Sequence, residues 1–339
     1  MKKKIIYGTL IVLLAAGGFI GWNIFGPVIE SPPGKYLFIR TGSNYSDVKT
    51  ALLDQKIISG SFFFDHFARQ VKYPAAVKAG RYEIKNGMSL YILLKMLRAG
   101  RQSPVNLIIT KLRTPQDLAA RIAANFETDS TGFIAILENK DSLLKYGLNP
   151  YTAMTAVIPN TYSILWNTSP SRIFRKLCAE KEKFWNPERL NKAAALKFTP
   201  EQVYTMASIV EEETNKDEDK GNIASVYINR IRTAQRLDAD PTIKFALRNF
   251  GLKRIRRSHI DACASSPYNT YYAKGLPPGP ICTPSSKTID AVLNAPSTDY
   301  LFFVARPDWS GLSNFTNSYA EHQVNARIYQ RFLDSINIR

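Results

Sequence analysis

Uncharged residues, most of them apolar, run from Ile5 to Phe25, 21 positions in all. A helix needs about 20 such residues to cross roughly 30 Å of hydrocarbon, so the run predicts one membrane span. Lys2, Lys3 and Lys4 precede it. Basic residues on that side predict that residues 1–4 are a cytoplasmic tail and that the rest of the chain lies across the membrane, with Trp22 at the far interface. A cleaved leader is the rival reading. Leaders, however, carry apolar runs of about 7–15 residues that end at a small-residue site, whereas Trp22, Asn23, Ile24 and Phe25 follow the glycines here. Gly26, Pro27, Ser31, Pro32, Pro33 and Gly34 then predict a spacer, residues 26–35, that forms neither helix nor strand.

Beyond the spacer the periodicity alternates between two and 3.6. Tyr36 to Arg40 and Gly80 to Ile84 read as strands, Tyr45 to Asp54 and Phe62 to Arg69 as helices. Ser89 to Arg98 is a further helix, with Leu90, Leu93, Leu94 and Leu97 on one face. Residues 36–104 therefore predict a small α+β module without an acid–base cluster, a binding or positioning unit. From residue 105 the pattern becomes mainly helical with some strands. Val105 to Ile109 is a strand, Thr114-Pro115 opens a helix, and Phe174 to Phe184 is another, bearing Lys176, Lys181 and Lys183.

Thr199-Pro200-Glu201-Gln202 is a helix start on two counts, a Thr cap with Gln three residues later and Pro at the first helical position. At about 100° per residue, Val203, Met206, Ile209 and Val210 share a face, and Glu213 falls within roughly 20° of Met206. Glu211 and Glu212 point elsewhere. A run of three glutamates is ordinarily a solvated face. A carboxyl on the apolar stripe instead loses hydration, its pKa rises, and it stays protonated near neutral pH, the state a general acid needs to protonate a glycosidic oxygen.

Ile223, Val226, Tyr227 and Arg230 mark a second helix ending near Arg232, and Asp240-Pro241-Thr242 begins a third. Asp240 reads equally as that helix's cap and as a second carboxylate of a site. Tyr268-Asn269-Thr270-Tyr271 and Gly275 to Pro280 form irregular stretches of rings, amides and turn residues. Such loops line sugar grooves, where rings cover apolar sugar faces and amides bond hydroxyls, although turn formation alone accounts for the prolines and glycines.

Composition narrows the partners. The formal charge of +17 and pI near 9.7 favour anionic neighbours. The densest basic run, Arg248, Lys253, Arg254, Arg256 and Arg257, carries no nucleic-acid motif, so lipid headgroups or an acidic wall polymer suit it better than nucleic acid, and a solvated loop suits it as well. Cys178, Cys263 and Cys282 are too few for a disulfide framework, and His66, His259 and His322 form no ligand pattern, so no metal or other cofactor is implied.

Ala207-Ser208-Ile209-Val210-Glu211-Glu212-Glu213-Thr214, Arg236 to Thr242, Tyr268 to Tyr271 and Gly275 to Ile281 follow one another in the order and spacing of the YceG-like endolytic murein transglycosylases, the MltG type, which this chain resembles. Lys78-Ala79-Gly80-Arg81-Tyr82 and Phe315 to His322 extend the resemblance weakly to the whole chain. It implies an α+β protein: a membrane helix at 5–25, a LysM-like module at 36–104 and a lysozyme-like catalytic domain at 105–339. It also implies an inner-membrane location with that domain outside the cytoplasm, peptidoglycan strands as substrate, and cell-wall synthases as partners.

The family's catalytic glutamate falls on Glu213. Asp240, Thr242, Tyr268, Asn269, Thr270 and Tyr271 fall on the stretches expected to hold the sugar. The implied reaction cleaves between N-acetylmuramic acid and N-acetylglucosamine without water, leaving a 1,6-anhydro end, and needs only one carboxyl where ordinary glycosidases use two. A water-using muramidase and a non-catalytic wall-binding scaffold remain the alternatives. The chain departs from the family pattern at Asp238 and Ala239, at Cys282, and at Asn160, where an aspartate is usual.

Overall fold

The computed structural model describes residues 2–335. Met1 of the expected tail and residues 336–339 of the expected catalytic domain lie outside the described residues.

In chain order the elements are α1 (Lys2–Phe25), β1 (Tyr36–Ile39), α2 (Tyr45–Asp54), α3 (Phe62–Gln70), β2 (Gly80–Glu83), α4 (Leu90–Ala99), β3 (Val105–Ile109), α5 (Pro115–Ala123), α6 (Ser130–Glu138) and α7 (Lys140–Leu144). Then follow β4 (Asn160–Ile164), α8 (Pro170–Phe184), α9 (Pro187–Leu196), α10 (Pro200–Glu213), α11 (Asp217–Arg232), α12 (Asp240–Ala246), α13 (Arg257–Ala262), α14 (Ser286–Leu293), β5 (Phe302–Ala305), β6 (Ser313–Thr316) and α15 (Tyr319–Ser335). The strands pair two by two, β1 with β2, β3 with β4 and β5 with β6. The mixture of helix and strand agrees with the α+β expectation, and α1 is long and apolar enough to cross a membrane.

Two compact units form. The first comprises residues 2–107, 123–128 and 162–169. Strands β1 and β2 run antiparallel with Tyr36 opposite Glu83 and Ile39 opposite Gly80. They cover α2, α3 and α4 through a core that includes Leu37, Leu52, Phe64, Tyr73, Leu93 and Leu97. The cut is not the single one expected near residue 104, because specific bonds hold the two later segments in this unit. The Glu127 carboxylate accepts from the Thr41 amide and hydroxyl at 2.7 and 2.6 Å, and Trp166 stacks edge-on against Phe38 at 5.0 Å.

The expected spacer forms neither helix nor strand, yet it is fixed to the first unit. Ile29 is core, 2% exposed, and its amide donates to the Met88 carbonyl at 3.0 Å while the Gly87 amide donates to the Ile29 carbonyl at 3.0 Å. Glycine and proline prevent regular structure here, but Ile29, with Val28 packed beside it on the same core, buries the backbone against its neighbours.

The second unit comprises residues 108–122, 129–161 and 170–335. Helix α10 lies at its centre, packed by α9, α11, α12 and α14, and every residue from Val203 to Val210 is buried. The Thr199 cap forms as expected: its hydroxyl accepts from the Gln202 amide at 3.2 Å, and the Gln202 side chain accepts from the Thr199 amide at 2.9 Å. This reciprocal box satisfies two orphan donors at the start of a helix that is buried from Val203 to Val210.

Candidate active site

The expected apolar stripe of α10 is in fact the whole circumference of the helix, so helical phase by itself does not separate the three glutamates at its end. Their partners do. Glu212 faces two cations, Lys111 at 3.1 Å and Arg113 at 3.0 Å. Glu211 accepts from the hydroxyls of Ser285 at 3.1 Å and of Thr288, and Lys220 stands 3.6 Å away. Glu213 has instead a phenol: the Tyr227 hydroxyl donates to Glu213 Oε1 at 2.6 Å.

Desolvation, more than this partner, sets the acidity of Glu213. Burial pushes the Glu213 carboxyl up to about 7; the Tyr227 hydrogen bond opposes the rise, the Asp240 charge adds to it, and Lys244 and Arg230 oppose it from farther away. Burial likewise raises the Tyr227 phenol well above its ordinary value, with the charge of Glu213 and the hydrogen bond to it acting in the same direction. Tyr227 therefore remains a proton donor toward Oε1 at any ordinary pH. With Oε1 engaged, a proton on Glu213 sits on Oε2, which fixes where the acid points.

Asp240 was open to two readings, and capping is not its role. Ala239 occupies the cap position with extended backbone and makes no side-chain cap bond, while Asp240 is the first helical residue and Pro241 the second. The Asp240 carboxylate accepts from the Tyr271 hydroxyl at 2.5 Å. Burial raises the Tyr271 phenol, with the Asp240 bond adding. Glu213, Tyr227, Asp240 and Tyr271 thus form one electrostatically connected group contributed by α10, α11, α12 and the loop after α13.

The remaining expected contacts fall into a frame behind that group. Asn269 is fully buried; its amide donates to the carbonyls of Ile260 and Cys263 at 2.9 and 3.1 Å, and its oxygen accepts from the Tyr271 amide at 3.0 Å. The buried hydroxyls of Thr242 and Thr270 meet at 2.9 Å, and Thr270 also accepts from the Ala239 amide at 3.1 Å. These three side chains are satisfied internally, because a buried polar group without a partner is costly. They hold the Tyr271 loop against α12. Tyr268 packs on Phe245, ring centroids 4.6 Å apart, and is half-buried.

The Gly275 to Ile281 loop is pinned to α10 by the Ile281 amide, which donates to Ser208 Oγ at 3.0 Å. Gly279 passes so close to Tyr151 that a Cβ there would lie 1.9 Å from the Tyr151 carbonyl oxygen, which requires glycine. The three cysteines are free and buried.

The profile of the YceG-like family matches residues 37–328. The chain belongs to the YceG-like family. An endolytic murein transglycosylase of Streptococcus pneumoniae (strain D39) is 28% identical over 94% of this YceG-like chain, which spans 63% of that relative's length. An endolytic murein transglycosylase of Bacillus subtilis is 27% identical over 96% of this chain and 92% of its own length. Among solved structures, a putative YceG-like protein of Listeria monocytogenes superposes with a TM-score of 0.56 at 26% identity, covering 85% of this chain and 98% of that one.

Within this YceG-like chain the group around Glu213 contains one member that the expected site residues lacked. Tyr227 lies on the apolar face of α11 between Ile223 and Arg230, and such a position is ordinarily packing. Its signal was chemical: a tyrosine buried in the core needs a hydrogen-bond partner for its hydroxyl. Arg230 was equally hidden. Its guanidinium donates to the carbonyls of Leu301 and Leu237 at 2.8 and 2.7 Å and so ties α11 to the start of β5 and to the segment before α12.

Proposed function

We propose that this chain is an endolytic peptidoglycan lytic transglycosylase in which Glu213 is the single general acid and base. The observation that carries the reading is the contrast along three adjacent glutamates. Glu212 lies against two cations and Glu211 meets two hydroxyls and Lys220, whereas Glu213 is desolvated, titrates near 7 and is held at one oxygen by Tyr227. A carboxyl half protonated at neutral pH serves as donor in one step and acceptor in the next.

Glu213 Oε2 gives its proton to the oxygen leaving C1 of N-acetylmuramic acid, and the bond to N-acetylglucosamine breaks. The muramic 6-hydroxyl then bonds to C1 and returns its proton to Glu213, which closes a 1,6-anhydro ring with no water consumed. Asp240 and Tyr271 stand beside the reacting acid. The negative charge of Asp240 keeps the Glu213 proton in place before transfer and favours the positive character that C1 develops.

In this reading the first unit is a LysM-like positioning module and the second a lysozyme-like catalytic domain. Helix α1 crosses the inner membrane, with both units on the extracytoplasmic side among nascent glycan strands and the synthases that make them.

Digestion of defined glycan strands tests the assignment. Glu213→Gln is expected to abolish cleavage with the fold intact, Glu212→Gln to retain it, and mass spectrometry of wild-type products to show anhydro ends. Reducing ends would instead mean a water-using muramidase with Asp240 as its second carboxylate. Binding to murein without any soluble product would mean a scaffold.

A further inference from the structure

The connection from α1 into the first unit leaves no slack. Phe25 closes the helix, the Gly26 amide bonds back to the Trp22 carbonyl at 2.8 Å, and Ile29 is already core. Two ring contacts press α1 onto the same unit, Phe19 on Phe63 at 5.7 Å and Phe25 on Tyr91 at 5.6 Å. At 1.5 Å of rise per residue, the six steps from Phe19 to Phe25 cover about 9 Å of helix axis. Phe63, at the start of α3, therefore lies about 9 Å farther down the span than Tyr91 on α4. Its neighbour Phe62 is 76% exposed.

At the level of Tyr91 a groove of about 620 Å³ opens between α3 and α4. Phe67, Val71 and Leu94 line it with apolar surface, Lys78, Lys95 and Arg98 supply three cations, and no lining residue is a carboxylate. Tyr91 belongs both to this groove and to the contact with the end of α1. Cations beside apolar surface, placed where a membrane helix leaves the hydrocarbon, match the two halves of an anionic amphiphile.

We propose that this groove seats the phosphate-bearing headgroup of an anionic phospholipid in the leaflet from which α1 emerges, while Phe62 and Phe63 enter the boundary of its acyl region. The inference rests on α1 being a membrane span. The first unit is then a membrane-resting element, held by lipid as well as by its tether, and the catalytic unit follows it as a chain anchored at two points.

The full-length chain in detergent, incubated with phosphatidylglycerol or with phosphatidylcholine of the same acyl chains, is read by native mass spectrometry. One phosphatidylglycerol per chain is expected to be retained, and phosphatidylcholine to be lost. Each surface cation near an anionic leaflet contributes several-fold, so Lys78→Gln, Lys95→Gln and Arg98→Gln together are expected to lower retention roughly a hundredfold. Because the native cysteines are buried, a bimane on Phe62→Cys reports depth in vesicles and is expected to be quenched by shallow spin-labelled lipid.

Equal retention of the two lipids, undiminished retention by the triple variant, or an unquenched bimane overturns the proposal. Release of the chain from vesicles by alkaline carbonate overturns the span itself. A chain that resists carbonate but shows no lipid preference overturns the groove alone.

Discussion

Replacing Tyr227 with Phe removes the hydrogen bond that opposes the burial-driven rise of the Glu213 pKa. The ring is 1% exposed and packs edge-on against Phe303 at 6.1 Å, contacts that phenylalanine keeps. What is lost is the 2.6 Å hydrogen bond to Glu213 Oε1. A hydrogen bond to a charged group contributes about 1.5–3 kcal/mol. Expressed wholly as a difference between carboxylate and carboxyl, at 1.36 kcal/mol per pKa unit, this is a shift of about one to two units.

The sign follows from which form the bond favours. The hydroxyl donates to the carboxylate, so its removal raises the Glu213 pKa above its present value near 7. A reaction that needs the protonated acid loses activity as pH rises through that pKa. The alkaline limb of kcat/KM in Tyr227→Phe is therefore expected to move to higher pH, together with about a tenfold fall in kcat from the loss of a fixed acid orientation. Release of soluble fragments from purified glycan strands between pH 5 and 9 measures both. An alkaline limb that stays in place, or moves to lower pH, refutes the coupling of Tyr227 to the acid.

Three further outcomes are expected. Because the folded pKa of Glu213 lies above the ordinary 4.5, the wild-type fold carries a cost that is absent below about pH 4.5 and fully present above about 7. Glu213→Gln should accordingly be more stable than wild type at pH 8, by at most roughly 3 kcal/mol, and gain nothing at pH 4 in denaturant titrations. A chain beginning at Tyr36 loses the buried Ile29 and its bonds with Met88 and Gly87. It should be less stable than one beginning at Gly26 by about 2 kcal/mol or more, seen as an earlier melting of the first unit. Gly279→Ala forces a Cβ against the Tyr151 carbonyl and should lower the melting temperature by the equivalent of about 1–3 kcal/mol, with no such loss for alanine at the open turn of Gly251.

Local chemistry made much of this chain readable from its residues alone. The uncharged run of α1, the Thr199–Gln202 box and Pro200 that start α10, and the alternation in β3 each act within a few positions. So does the leucine face of α4, whose four leucines are all buried. The order of motifs sufficed for the family.

What tertiary structure decided lies wherever the deciding partner is distant in sequence. Arg113, 99 positions from Glu212, and Thr288, 77 positions from Glu211, are what distinguish those two carboxylates from Glu213, and no periodicity along α10 encodes them. The same holds for Asp240, where the local pattern of an aspartate before proline suggested a cap and the Tyr271 hydroxyl, 31 positions on, took the carboxylate instead. Asn269 looked like a sugar contact by residue type, and burial turned it into the frame of its own loop. Helix starts, strands and spans follow from forces that act between near neighbours. Acidity, ion pairing and the choice between frame and contact follow from desolvation and charge, which exist only once distant segments close around a side chain.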